Sequence, residues 1–482
     1  MTAAGLLLTA ARETAPAAAG ESRAAPTAAV RKLCPMPTDP HADFWKFDHL
    51  VRVTDGRWLR EPAEADPAPT GLGHDTRALC AGHAYLAVEG ERFDGHGYVG
   101  EAFARGAALA IVGRDVGPVA AGPTLLVDDP VAALQDLASA YRDVLARGRC
   151  KVIAVCGSNG KTTTRHLLHH VLTAAGLTGT QSPKSFNNHL GVPLTLLAAR
   201  PEHDFVACEI GTNHPGEVES LAAIAWPDAA VITSIGREHL EFFKTIDGVA
   251  HEEASVMRFV RAGGLIVTPG EAAAWMAPFY DVKENVALLP LKDALKVPDT
   301  FSLAGEHNRM NAALVLAVAR WLEADTDRAA AALATATTPP GRMQRIVIGN
   351  GDTSVTAIHD AYNANPDSAR AALEHLASQP GRTVAVLGDM LELGEAGPAA
   401  HAEVLQRARE LEVSVTLAVG PLTAAAAGDH VAEAWETAQE AAAAVGGVAD
   451  HVKPGDTVLL KASRGVALER LLPALEEKFG KA

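Results

Sequence analysis

The chain has 482 residues, enough at ordinary domain size for about three domains. Hydrophobic residues make up 48%, charged residues 21% and aromatics 5%, and no apolar run approaches the roughly 20 residues that a membrane-spanning helix needs, which argues against a membrane span. Forty-two basic against 58 acidic residues give a net charge of −16, so nucleic acid and anionic lipid are disfavoured as partners, and an anionic substrate must be met by a local group of cations.

Residues 1–47 are rich in Ala, Pro and small polar residues, and the apolar stretch at Leu6 to Leu8 lacks the basic segment that precedes a secretory signal. They read as a disordered tail, or as a start placed ahead of Met36. Residues 48–147 mix helices with short strands at 84–88 and 108–112, as a small α/β domain does. Residues 148–338 open with a buried-strand pattern at 151–155, a Gly-rich turn and a helix-periodic run at 162–175. Further β-branched runs at 205–210, 229–233 and 264–268 alternate with helical stretches, which predicts a parallel sheet with crossover helices. Pro339-Pro340-Gly341 forms a hinge. Beyond it, over 339–482, strands at 355–358, 383–387, 415–419 and 457–460 alternate with Ala-rich helices, and a doubly wound third domain follows. The five cysteines (Cys34, Cys80, Cys150, Cys156, Cys208) are odd in number and have no CxxC spacing, so they read as buried reduced thiols of a cytoplasmic protein.

The turn between the 151–155 strand and its helix reads Gly157-Ser158-Asn159-Gly160-Lys161-Thr162-Thr163. Glycines there let backbone N–H groups close on phosphate oxygens, and the helix N-terminus adds partial positive charge. Lys161 neutralises the β and γ phosphates, and the Thr162 hydroxyl can ligate Mg²⁺. Val155 stands where the usual phosphate loop has its first Gly, so the pattern is a shortened one. Metal ions that screen phosphate need hard oxygen ligands with an occasional imidazole, at strand ends beside the loop. Glu209 ends one predicted strand and His239 follows another.

The short loop resembles that of the Mur ligase and folylpolyglutamate synthase superfamily, and the resemblance runs through nearly the whole chain after residue 70. Several motifs match most closely the Mur ligases that add D-alanyl-D-alanine. They are Asp75-Thr76-Arg77, the 90–96 loop with Glu91 and Arg92, the 187–195 run opening with Asn187 and Asn188, the 209–217 run opening with Glu209, the 360–368 run, and the 387–394 run. The resemblance implies an ATP-dependent ligase of peptidoglycan precursor synthesis that phosphorylates the carboxylate of a UDP-MurNAc-tripeptide and joins it to the dipeptide. ATP and Mg²⁺ are the implied cofactors, and a monomer is implied. A sibling ligase, a folylpolyglutamate synthase-like ligase and a non-catalytic protein that holds the UDP precursor are the alternatives.

Carried over residue by residue, the resemblance gives Glu209 and Thr162 to a first metal and His239 to a second. It gives Asn308 to the adenine, Asp360 to the ribose and Arg342 to the γ phosphate. Tyr362, Asn363 and Asn365 would shape the catalytic face of the third domain, with Lys461, Ser463 and Arg464 meeting the dipeptide carboxylate. Asp75, Thr76 and Arg77 would take the UDP end, and Asn187 and Asn188 the substrate. The residues alone also allow a helix cap for Asn308, an ion pair for Arg77 and a structural role for His239. There are two departures. Relatives usually carry a carbamylated lysine fourteen residues after the histidine, and this chain has Glu253 there, shorter by roughly 3 to 4 Å of reach. Glu253 is expected to supply the negative charge directly, without CO₂, the alternative being that Glu252 and Glu253 are solvated helix charges. The stretch 264–301 also lacks the family's Asn-Ala-Asp type insert, reading Val267-Thr268-Pro269-Gly270, and a trimmed sheet is expected.

Overall fold

Short apolar runs, most of them with β-branched residues, supply the strands of three separate sheets in the computed structural model, which describes residues 39–90, 93–280, 282–292, 297–443 and 447–481. The first sheet holds β1 (Arg57–Arg60), β2 (Leu72–Gly73), β3 (Ala84–Leu86), β4 (Leu109–Val112) and β5 (Thr124–Leu126) in the order β1-β5-β4-β3-β2, with only the β1–β5 pair antiparallel. The second holds β6 (Lys151–Cys156), β7 (Gly179–Gln181), β8 (Phe205–Glu209), β9 (Ala229–Ile232), β10 (Leu265–Pro269) and β11 (Ala287–Leu291). Its order is β11-β10-β9-β6-β8-β7, and every pair is parallel. The third holds β12 (Gln344–Ile348), β13 (Val355–Asp360), β14 (Thr383–Gly388), β15 (Val415–Val419), β16 (Val431–Trp435) and β17 (Thr457–Lys461). Its order is β12-β13-β17-β14-β15-β16, parallel except at the β12–β13 edge.

Helices cover both faces of the second and third sheets, and the period-2 alternation of strand side chains shows it. In β6, Val152, Ala154 and Cys156 enter one core while Ile153 and Val155 enter another. In β14, Val384 and Val386 face one core, and Ala385 and Leu387 face the opposite one. The helix Pro130–Arg147 joins the first two sheets, burying Leu134, Leu137 and Tyr141 in a core shared with Leu50, Val192 and Ala222.

Three expectations change. The sequence places a disordered tail over residues 1–47; residues 1–38, with Cys34, lie outside the described residues, but folded structure is present from Asp39. The Asp39 carboxylate accepts from the N–H groups of His41 and Ala42 to cap the helix Pro40–Phe44, and Phe44 and Trp45 are buried, with the Phe44 ring 4.8 Å from that of Tyr141. Two large aromatic side chains left in water would forfeit more than a disordered tail gains. The sheet is not trimmed after β10, because the helix Gly270–Met276 returns the chain to an added parallel edge strand, β11. Cys80 is exposed, while Cys150, Cys156 and Cys208 are buried free thiols.

Candidate active site

The carboxyl ends of β6, β8 and β9 open into a cleft of about 1120 Å³, walled on the far side by the third domain. Open parallel sheets place ligands there, at the point where strand order reverses. Gly157 and Gly160 of the loop after β6 have φ of 111° and 88°, and a Cβ on either would come within 2.5 Å of Thr233 Oγ1 or 2.9 Å of Asn311 Oδ1. The loop therefore needs glycine twice, for conformation and for space. The helix Lys161–Ala174 begins immediately after it.

Lys161 Nζ folds back on the loop, donating to Gly157 O at 2.5 Å and Ser158 O at 3.3 Å, with Glu238 Oε2 at 3.4 Å. Burial lowers its pKa, but Glu238, Glu253 and Glu209 together outweigh that and leave it raised, so the ammonium is held charged. Thr162 Oγ1 donates to Glu209 Oε1 at 2.9 Å, and Asn187 Nδ2 donates to the same oxygen at 3.1 Å. Arg165 Nε lies 3.5 Å from Glu209 Oε2. His239 lines the cleft with its Nε2 3.8 Å from Glu238 Oε2, and Glu238 Oε1 is buried with no partner among the described residues.

The third domain meets this wall directly. Asn365 Nδ2 donates to Asn159 Oδ1 at 2.9 Å, and Arg237 binds both Asp367, at 2.9 Å, and Glu403, at 2.7 Å. Arg342 stacks its guanidinium 4.2 Å from the Tyr362 ring centre, and both line the cleft. Asn308 is buried, donating from Nδ2 to Ala304 O at 2.7 Å, and both Asn308 and Asn311 face the cleft.

Of the residues singled out from the sequence, Ser158 to Thr163, Asn187, Asn188, Glu209, His239, Asn308, Arg342, Asp360, Tyr362, Asn363, Asn365, Lys461 and Arg464 all line this one cleft. Asp360 and Lys461 spend part of their capacity on each other, at 2.8 Å, and Lys461 also donates to Asn363 O at 2.9 Å. Ser463 is not in the cleft; it accepts from Leu391 N and donates to Ala364 O, holding a turn. Gly157 turns inward as well. Asp75, Thr76 and Arg77 stand in the first domain outside the cleft walls, Arg77 being 85% exposed and bound bidentately to Asp75. That contact holds the Asp75 carboxyl down at about 2. The neighbouring His74 ring lies 6.3 Å from Phe186, next to Asn187, so the first domain abuts the cleft mouth. Glu91 and Arg92 of the 90–96 loop lie outside the described residues.

Glu253 is a correction. Its side chain is fully buried and is not among the residues lining the cleft; instead Oε2 accepts from Gly157 N–H at 2.7 Å, behind the phosphate loop, and Oε1 has no hydrogen-bond partner among the described residues. Burial pushes its pKa up to about 8 against the pull of Lys161, with Glu238 adding to the rise. The side chain is too short to enter the metal region, and it straps the loop from beneath. Glu252 is likewise no solvated charge: it accepts from Gly216 N and Val218 N, at 2.7 and 2.8 Å, at the start of the helix Glu217–Ala225. Sequence reasoning passed over Glu238, Glu392 and Arg237. Adjacency to His239 was a usable signal for the first, and membership of the 387–394 run for the second.

Comparisons with known proteins agree with this geometry. The chain matches the catalytic domain of the Mur ligase family over residues 69–142, the Mur ligase middle domain over 155–286 and the Mur ligase glutamate ligase domain over 341–464. It is 32% identical to the UDP-N-acetylmuramoyl-tripeptide--D-alanyl-D-alanine ligase of Bacillus subtilis, covering 87% of this chain and 96% of that protein. The ligase of the same name from Mycobacterium tuberculosis is 34% identical, over 86% and 95%. A crystal structure of MurF from Acinetobacter baumannii superposes with a TM-score of 0.77 at 29% identity, over 90% of this chain and 99% of that one. MurF from Thermotoga maritima in complex with ADP gives 0.70 at 26% identity, over 85% and 97%.

Proposed function

This chain belongs to the Mur ligase family, and from that premise we infer that it is the ATP-dependent, ADP-forming ligase that joins D-alanyl-D-alanine to UDP-N-acetylmuramoyl-tripeptide in peptidoglycan precursor synthesis. The observation that carries the reading at the level of the site is the opposition, across one cleft, of the phosphate loop with Lys161 and of Arg342 from the third domain. A carboxylate does not react with an amine at neutral pH, and phosphorylation by ATP gives it a leaving group. The γ-phosphoryl group, its donor and the acceptor carboxylate are all anionic, so the protein's task is to gather them and to hold cations where charge develops.

In this reading Lys161 releases its contacts with the Gly157 and Ser158 carbonyls to meet the β and γ phosphates, while loop N–H groups take further phosphate oxygens. Arg342, held over the Tyr362 ring, offers its planar fork to the γ phosphate. Asn308 and Asp360 take the base and ribose. The Asn365–Asn159 contact draws the third domain onto the loop and excludes water, which would otherwise consume the activated acid. Asn187, Asn188, Asn363 and Arg464 bound the side open to the tripeptide and the dipeptide.

The donor set suits Mg²⁺: Glu209 with Thr162 offers hard oxygens at one point, and His239 with the unpartnered Glu238 Oε1 at another. When bound, Mg²⁺ would supply charge neutralisation between nucleotide and carboxylate. No helix among the described residues is long and apolar enough to cross a membrane, and we read the protein as a cytoplasmic monomer acting on small-molecule substrates. Phosphate release with purified UDP-MurNAc-tripeptide and ATP is the test. D-alanyl-D-alanine should give turnover, and single amino acids should not. Turnover with a single amino acid would move the chain to a sibling activity, and none with any acceptor would leave a precursor-binding protein.

A further inference from the structure

His239 follows β9 in the second domain, and Glu392 follows β14 in the third. Their side chains meet: Nδ1 of His239 lies 2.5 Å from Oε2 of Glu392, an ion-pair distance though off the line of a hydrogen bond. The two turns are also fastened by backbone, since Glu241 N–H donates to Glu392 O at 3.2 Å. Both residues have left-handed backbone, with φ of 46° at His239 and 63° at Glu392. Strain of this kind in non-glycine residues persists only where the surroundings impose it, and it concentrates at functional sites.

An imidazole ligates a cation through one ring nitrogen, and whatever holds the other nitrogen sets the ring's orientation. Here Glu392 holds Nδ1, which leaves Nε2 on the side of Glu238, whose Oε1 is buried and without a partner among the described residues. We propose that Glu392 is a positioning residue that fixes the His239 ring for a divalent cation shared with Glu238, so that this cation site is complete only when the third domain is docked. The proposal rests on the reading of His239 as a metal ligand. Its consequence is an order of events: docking of the third domain, which also brings Arg342 to the cleft, and tight cation binding at His239 favour one another.

The test is Mn²⁺ binding to the full chain with saturating ADP, followed by electron paramagnetic resonance, for the wild type, E392A, E392Q, H239A and the double variant H239A/E392A. The His239-dependent cation is the one weakened in H239A. E392A should weaken that cation about 10- to 100-fold, and E392Q, which keeps the shape and one acceptor oxygen, should weaken it less. The double variant should be no worse than H239A, because Glu392 acts through the ring. Turnover gives a second readout: the KM for Mg²⁺ should rise in E392Q while kcat at saturating Mg²⁺ largely recovers. Unchanged or tighter Mn²⁺ binding in E392A and E392Q, or losses that add in the double variant, would overturn the role of Glu392 alone. Unchanged binding in H239A would overturn the reading of His239 itself.

Discussion

Arg237 and Asp367 grip each other across the boundary between the second and third domains, with the guanidinium 2.9 Å from Asp367 Oδ1 and the Arg237 backbone N–H donating to Oδ2 at 2.8 Å. Glu403 completes the clasp on the other side of the same guanidinium. The group is a quarter to two-fifths exposed, so water screens it, and ~1 kcal/mol of domain docking is a fair scale for its removal. Arg237→Ala should therefore lower the docked population and turnover roughly fivefold. Small-angle scattering should show a larger radius of gyration. Wild-type dimensions and rate would mean that other contacts, those of Asn365 and Glu392 among them, suffice to hold the third domain.

Among the described residues Lys161 is the only lysine that lines the cleft on the phosphate-loop side, and the neighbouring Glu238, Glu253 and Glu209 hold it charged. Removing one group that stabilises charge in the transition state typically costs about 10²- to 10³-fold in kcat. Lys161→Ala should fall in that range or below while the fold survives, because the side chain's present partners are two loop carbonyls and Glu238. Phosphate release measures it, with circular dichroism as the check on folding. Intact turnover would sink the phosphate-loop assignment.

Arg342 and Tyr362 separate charge from geometry. Arg342→Lys keeps the charge but loses the planar fork that stacks at 4.2 Å on the ring. It should lower kcat by about 10²-fold with little change in the KM for ATP. Tyr362→Phe, which keeps the stacking face, should be close to wild type. If Tyr362→Phe were as damaged as Arg342→Lys, the phenol and not the stack would be the working feature.

Glu253 makes stability fall with rising pH. Its carboxyl has an ordinary value of 4.5 and is pushed up to about 8 in the folded chain, so between those values the folded state binds more protons than the unfolded one. The destabilisation is absent below pH 4.5, grows through neutrality and is complete above about 8. Glu253→Gln copies the protonated acid and can still accept from Gly157 N–H. Its thermal midpoint should decline less than that of the wild type between pH 5 and 9, an interval of roughly the width over which the group titrates. Parallel curves would assign the titration to another group.

Glu253 also bears on carbon dioxide. With Glu253 at that position, and tied to Gly157 behind the loop, there is no lysine there to carbamylate, so turnover in CO₂-depleted buffer should equal turnover with added bicarbonate. A bicarbonate-dependent rate would point to a carbamylated lysine elsewhere in the chain.

The local sequence determined much of this protein, because it carries chemistry that acts over a few residues. Short apolar and β-branched runs placed ten of the strands to within two residues at either end, and Gly157 and Gly160 marked a loop whose backbone admits little else at those positions. Edge strands such as β1, β7, β12 and β16 are at most partly buried along nearly all their length, so their residues form no sustained apolar run, and the sequence alone does not reveal them. Tertiary structure alone decided which charges meet. Glu253 reads as a negative charge for the metal region until β6 and its loop are laid over it, and Ser463 reads as a contact residue until Leu391 and Ala364 claim its hydroxyl. Glu392 lies 153 residues from His239 in sequence and 2.5 Å from it in space. Pairing of that kind depends on how two domains dock, and no local pattern of residues encodes a distance across such a boundary.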